Sequence, residues 1–471
     1  MLFSNKDIFK IITPILIQQI LSIAIGMVDS VMVSSVGESA VSGVSLVNTI
    51  NVLAVNFFSA LAGGGAIVMA QIIGQKDKDL AKEASKQTLY ITTLLALVLA
   101  IVVFVFKENI LHLIFGKVDK DVMQYSQTYF FYTIISYPFI AVSGALASVC
   151  RAEGETKNPM FISLAGNGIN VLGNAILIYG FNMGVTGAAI ATLISHIASA
   201  IIILIFVLTS KKLNYKIDNI LNYKPNKYLI KRICSIGVPN GFENSMFQIG
   251  RVMLSSLVSG FGTASIAANA VANTLTSFQY AQGNAVGFGM TTIVGRCVGA
   301  GELKQAKKNA KKLVIIAYGG MYVVSAILCL FSKFFIGLYN LSPASSEICT
   351  NIVYIHSIAV CLVWPIAFVL PNAFRSASDV GFTTTISLIA MWVFRIGLSF
   401  VFAYVFNMGV YSVWLAMFCD WIFRIIFFIP RYLSDKWLKK FKPKTELNKR
   451  KIFYTLKISM AIKKPNLKPS T

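Results

Sequence analysis

The sequence predicts an all-α polytopic membrane protein: twelve transmembrane helices in two parallel six-helix repeats around a central cavity. Three observations predict it. Of 471 residues, 56% are hydrophobic and only 13% charged, where a soluble domain carries about 25% charged residues, and the mean hydropathy is +0.70. A dozen apolar runs, each near the roughly 20 residues that cross a hydrocarbon core, are separated by short polar loops. The second half also repeats the first at an offset of 225, so that Phe-Asn-Met-Gly-Val stands at 181–185 and again at 406–410.

The first six spans fall at 9–33, 44–73, 88–106, 126–150, 160–180 and 186–209, and the second six at 233–258, 266–295, 313–331, 351–373, 382–405 and 410–430. Lys6, Asp7 and Lys10 precede the first span, which has full membrane length and no small-residue cleavage signal, so it reads as a retained helix. The register holds across the halves, pairing Pro14 with Pro239, Gly37 with Gly262, Asn48 with Asn273, Thr49 with Thr274, Gly74 with Gly299 and Lys82 with Lys307. An even number of spans per repeat keeps both halves in one orientation, related by an axis along the membrane normal, with the substrate site expected between them. The chain then divides into a first lobe (1–210), a linker (211–232), a second lobe (233–430) and a basic tail (431–471).

The formal charge of +23 does not point to nucleic acid, because the lysines and arginines sit in short loops and the tail rather than on one folded basic face. Loops after even-numbered spans hold Lys76, Lys78, Lys82, Lys86, Arg151, Lys157, a cluster from Lys211 to Arg232 and another from Arg296 to Lys312. Odd loops hold only Lys107, Lys117, Lys120 and Lys333. The positive-inside bias places both termini in the cytoplasm of a cell-membrane protein. The tail, with Lys439, Lys440, Lys449, Arg450 and Lys451, is expected to lie on anionic lipid.

Seven cysteines without a Cys-x-x-Cys pair read as inert thiols, and His112, His196 and His356 are too scattered for a metal cluster. Gly63, Gly64 and Gly65 neither follow a strand nor precede Gly-Lys-Ser/Thr, so they read as helix-packing residues and not as a phosphate loop. Without a nucleotide motif or cofactor, transport has to draw on an ion gradient. No catalytic constellation is visible, and a monomer is expected.

Few ionisable groups remain within the spans: Asp29, His196, Glu243, Arg251, Arg395, Asp420 and Arg424. A charged side chain at membrane depth costs roughly 2.5–3.5 kcal/mol on insertion scales and marks an ion or substrate path. Asp420 and Arg424, four apart, read as a structural pair. Asp29 has Leu254 as its counterpart in the repeat, so the acid belongs to one half only; Glu243 answers to Gln18 and Arg251 to Gly26. Asn167, Asn170 and Asn174 share one helical face, and Thr192, Ser195 and Ser199 share another. Asn174 and Thr192 lie at depths similar to that of Asp29, and such a carboxylate, amide and hydroxyl set suits a small hard cation such as Na+, or a proton. Interhelical hydrogen bonding is the alternative for the stripes. Glu243, roughly 16 Å along its helix from Arg232, reads as a cavity acid drawing cationic substrate, or else as the partner of Arg251 or Arg395. Gln18 and His196 join it as cavity candidates.

Met-Val-Asp-Ser-Val-Met-Val at 27–33, Arg-Ala-Glu-Gly-Glu-Thr-Lys at 151–157, Gly-Val-Pro-Asn-Gly at 237–241 and the loops around Gly74 and Gly299 resemble the multidrug and toxic compound extrusion (MATE) family. The resemblance covers nearly the whole chain, from the first span to the twelfth. It implies an antiporter expelling amphipathic, often cationic, drug-like compounds in exchange for H+ or Na+ by alternating access of two lobes. It also implies a cation-linked site at Asp29, Asn170, Asn174 and Thr192. One branch of the family has Asp where this chain has Asn174. Another uses acids in spans seven and ten; Glu243 answers the first, and span ten has none. A lipid-linked precursor flippase of the same superfamily is the alternative, marked by a lipid-open groove and further helices.

Overall fold

The computed structural model describes residues 2–116, 118–215, 217, 220 and 222–441. Twelve long helices run through them. The first half holds α1 (Asn5–Ser34), α2 (Glu38–Gly74), α3 (Lys78–Val105), α4 (Lys120–Ala152), α5 (Lys157–Gly180) and α6 (Gly184–Thr209). The second holds α7 (Lys227–Ser259), α8 (Thr263–Gly299), α9 (Leu303–Leu330), α10 (Pro343–Ser376), α11 (Val380–Tyr404) and α12 (Tyr411–Leu433). No strand occurs among the described residues.

Number and order follow the apolar runs, but the helices outlast them. The third run begins at 88 and α3 already at Lys78, where the Asp77 side chain accepts from the Leu80 N–H at 3.0 Å. Helical hydrogen bonding continues until a cap ends it, whereas hydropathy falls as soon as the chain leaves the hydrocarbon layer. Arg431, counted with the tail by sequence, accordingly lies in the last turn of α12 and pairs with Asp379 at 2.8 Å. Lys449, Arg450 and Lys451 lie outside the described residues. Two short helices, Lys107–Phe115 and Ser332–Gly337, begin 225 positions apart and occupy stretches read as loops.

The two halves meet at the end that carries the basic loops. There the repeat becomes a reciprocal contact. A Cβ on Gly74 would stand 2.8 Å from the Ala300 nitrogen, and one on Gly299 would run into the Gln71 carbonyl. Ten residues further in, a Cβ on Gly64 would stand 2.7 Å from the Gly237 nitrogen, and one on Gly289 would be 2.8 Å from Ile12 Cγ1. Each pair maps onto the other through the offset of 225, so α2 against α7 and α8 against α1 are the same interface used twice. Gly64 and Gly65 are packing glycines, Gly65 pressing on Thr88, while Gly63 has open space beside it.

Hydrogen bonds complete this seal with the same symmetry. Gln71 Nε2 donates to the Ser376 carbonyl at 2.7 Å and to the Ser378 hydroxyl at 3.2 Å, while its Oε1 accepts from Arg232. Arg296, the counterpart of Gln71, donates to the Ala152 carbonyl at 3.0 and 2.7 Å, and Thr292 to the Arg151 carbonyl at 2.9 Å. All interhalf hydrogen bonds among the described residues lie at this end. Toward the other end Val28 and Val31 of α1 and Val252 and Met253 of α7 are exposed. The opening half of α1 (Ile8, Ile11, Ile12, Ile15) packs with Met290 and Ile293 of the second half. Pro14 removes the N–H that would bond the Lys10 carbonyl, and Thr156 Oγ1 donates to that carbonyl at 3.4 Å.

Overpacking this seal is expected to cost about 1–3 kcal/mol. Gly299→Val should lower the melting midpoint of the detergent-purified protein, whereas Gly319→Ala, whose Cβ meets nothing within 4 Å, should not. Equal midpoints would contradict the close approach.

Candidate functional site

Two polar regions lie inside the bundle. The first is in the first half. Asp29, partly buried near the end of α1, accepts from Asn174 Nδ2. Asn174 is fully buried, and its Oδ1 has no hydrogen-bond partner. Four residues earlier on the same face, Asn170 Nδ2 donates to Thr192 Oγ1 at 3.2 Å, and that hydroxyl donates to the Ala188 carbonyl at 2.9 Å. Directly after Asn174, α5 widens into π geometry from Ala175 to Gly180, a distortion that commonly re-aims side chains at functional positions. Asp29, Asn170, Asn174 and Thr192 are therefore neighbours.

Buried Tyr129 of α4 reaches Thr192 and Asn48 and stands within Coulombic range of Asp29. The sequence offers little to single out Tyr129 among the aromatic residues around it. Asn48 is visible only as half of a repeat pair. The carboxylate, the unpartnered amide carbonyl and the hydroxyls form a hard oxygen set.

The second region is a cavity of about 790 Å³ between the halves. Gln18, His196 and Glu243 all line it, as do Asn167 and Ser199 from the two stripes, whereas Asp29 and Thr192 do not. The stripes therefore divide. Asn167 and Ser199 face the cavity, Asn170, Asn174 and Thr192 face the acid pocket, and Ser195 bonds back to the Thr192 carbonyl at 2.8 Å.

Glu243 is not a free carboxylate. Arg375 Nη2 donates to its Oε1 at 2.7 Å and Thr384 Oγ1 to its Oε2 at 3.2 Å. Neither Arg251 nor Arg395 is its partner. Arg375 escapes the sequence analysis because it lies beyond the tenth apolar run, on the last turn of α10. Asp420 and Arg424 do pair, at 2.8 Å, and Arg395 approaches Asp420 at 3.5 Å. Arg424 also donates to Ser387 Oγ at 2.8 Å and lies over the rings of Phe247 and Phe368, 5.4 and 4.8 Å from their centroids. This pair is almost wholly enclosed.

His356 is buried against Tyr280, 2.6 Å from its hydroxyl, and is ringed by Trp414, Trp421 and Phe418. Among the described residues no group of three His, Cys, Asp or Glu side chains could hold a metal, and the seven cysteines are free thiols.

The MatE family model matches residues 14–176 and again residues 239–401, two stretches offset by 225. The chain belongs to the MatE family. It is similar to "Uncharacterized transporter YisQ" of Bacillus subtilis, 24% identical over 92% of this chain and 95% of the relative. "Probable multidrug resistance protein NorM" of Thermotoga maritima is 22% identical over 93% and 94%. A solved structure described as the outward-facing conformation of a multidrug resistance MATE family transporter superposes with a TM-score of 0.84 at 19% identity, covering 92% of this chain and 96% of that one. The MatE assignment makes this a multi-pass membrane transporter with two repeated halves.

In this MatE chain the Asp420–Arg424 pair is buried structure. Arg424→Gln would leave the buried Asp420 carboxylate with only Arg395, at 3.5 Å, and is expected to cost up to about 3–5 kcal/mol, read as a lower unfolding midpoint. Replacing both residues, as Asp420→Asn with Arg424→Gln, should recover part of that loss; no recovery would deny the pairing.

Proposed function

We propose that the chain is a secondary active exporter of amphipathic organic compounds, driven by H+ or Na+ entering at Asp29. Its relatives named as multidrug resistance proteins support export, and the absence of a nucleotide motif from the sequence favours an ion gradient. The observation that carries the coupling site is the contact of Asp29 with Asn174, beside an amide oxygen that no protein group satisfies. A carboxylate held away from bulk water favours neutralisation, by a proton or by a hard cation that takes oxygen ligands.

With the basic loops and both termini in the cytoplasm of a cell membrane, the sealed end faces inward, and this is the outward-facing state of the cycle. Substrate enters the cavity when the seal of Gln71, Arg296 and their carbonyl partners opens. The halves then rock, and a cation arriving at Asp29 favours substrate release. Coupling of this kind requires the ion and the substrate to differ in affinity between the two states. One chain supplies both walls of the cavity, so the working unit is a monomer.

The test is Asp29→Asn in the full chain reconstituted into liposomes with an imposed pH or sodium gradient. Gradient-driven dye movement should fall about 5- to 150-fold, the span of ordinary coupling free energies, and Asp29→Glu should retain part of it. Undiminished movement in Asp29→Asn would remove the assignment.

A further inference from the structure

The charges around the cavity run against the expectation of a cationic substrate. Arg151, Arg251, Arg375 and Arg424 line it against one carboxylate, Glu243. That carboxylate is held by Arg375, and the nearby Asp420 is held by Arg424 with Arg395 beside it. Every acid at the cavity is thus matched, and arginine is left over.

Arg251 is the clearest surplus. It lies eight residues before α7 ends at Ser259, roughly 12 Å inside that end. Its side chain is exposed to the cavity, and its guanidinium makes no ion pair or hydrogen bond with any described residue. Arg395 is near enough to repel it. The two share a second, smaller recess of about 90 Å³ with Asn269, Asn273 and Trp414. Trp414 Nε1 donates to Asn269 Oδ1 at 3.1 Å, which fixes the indole and the amide in place.

Arg395 shares Asp420 with Arg424 and reaches it only at 3.5 Å, and Arg251 has no acid partner among the described residues. Two cations at membrane depth thus face one recess short of a full counter-charge, which is costly. Arginine is the side chain best suited to holding a carboxylate or phosphate through two parallel hydrogen bonds. Phe247, Phe288 and Phe368 line the adjoining cavity and offer apolar surface beside the charged recess.

We propose that the exported compound is an amphipathic organic anion whose carboxylate or phosphate group docks on Arg251 with Arg395 behind it, and whose apolar body lies against the cavity phenylalanines. The proposal rests on the export reading above and narrows its substrate class. The unpaired Arg251 would also reject cations, since specificity arises as much from repulsion as from attraction. The expectation of a cationic substrate rested on the family resemblance and on Glu243 as a free cavity acid, and the pairing of Glu243 with Arg375 removes the second of these.

Binding and transport separate the two readings. Carboxyfluorescein serves as the anionic probe and ethidium as the cationic one. Their anisotropy is measured with the purified full chain in uncharged detergent, and their movement in zwitterionic liposomes under an imposed gradient. The chain should bind carboxyfluorescein more tightly than ethidium. Arg251→Gln should weaken carboxyfluorescein binding by roughly thirty-fold or more, the loss typical of truncating one member of a desolvated charge pair, and Arg251→Lys should recover part of it at an unchanged melting midpoint.

Carboxyfluorescein binding without gradient-driven movement would sink the export reading and leave the anion site standing. Ethidium binding as tightly as carboxyfluorescein, or an Arg251→Gln variant that binds carboxyfluorescein undiminished, would overturn the anion site whether or not transport occurs. Failure of the wild-type chain to bind carboxyfluorescein would overturn it too.

Discussion

The backbone approach of Gly74 and Gly299, with Gln71 and Arg296 bonded across it, is the constraint on which the rest of the structure depends. Backbones that touch through glycine at one end bring the halves together there, and no hydrogen bond among the described residues joins the halves beyond it. The cavity lies between the halves. Because the contact is made from counterparts 225 positions apart, each half presents the same surface to the other, as a pseudo-twofold axis requires. The seal is built from carbonyl acceptors and neutral or singly charged donors, with glycine admitting the close approach. Such contacts can be exchanged for water at the membrane surface without stranding a deeply buried charge.

Symmetry ends at the charges. The first half carries a single intramembrane acid, Asp29, set behind the cavity wall; the second carries Glu243 and Asp420 with the arginines that match and exceed them. A shared frame has been given two kinds of electrostatics, and this is how a repeat can divide labour. Polar groups that point at each other within one half cost little to keep. Arg251, which pairs with no described acid, lines the space between the halves.

Much of the fold was legible because membrane physics is coarse. A run of about 20 apolar residues has few alternatives to a spanning helix, and the Phe-Asn-Met-Gly-Val pair pins the register of the repeat. The short helices at Lys107 and Ser332 were not legible, since they need no hydrocarbon-length run. Nor was the packing of the start of α1 on the opposite half. The acid pocket was legible through depth: one rise per residue along three helices brings Asp29, Asn174 and Thr192 to similar levels. Depth says nothing about azimuth, however. That is why Tyr129 went unnoticed and why Asn167 and Asn174, on one stripe, serve different pockets. Arg375 lies just past an apolar run and so falls outside a search confined to such runs, yet it decides the character of Glu243.

The separation of Asp29 from the cavity raises the question of how an ion there could influence a substrate elsewhere, and α1 supplies a physical connection. It carries Ile12 against Gly289 in the seal, Gln18 on the cavity wall and Asp29 in the acid pocket. Pro14 interrupts its hydrogen-bond ladder between the seal and the other two, and the freed Lys10 carbonyl is taken by Thr156 at the start of α5. A helix with a missing rung bends there more readily than elsewhere. The same α5 carries Asn174 at its far end. The α1–α5 pair is therefore joined at two points, one at the seal and one at Asp29. Under the proposed coupling, a change in what Asp29 requires of Asn174 would reach the stretch of the pair that walls the cavity through these two contacts.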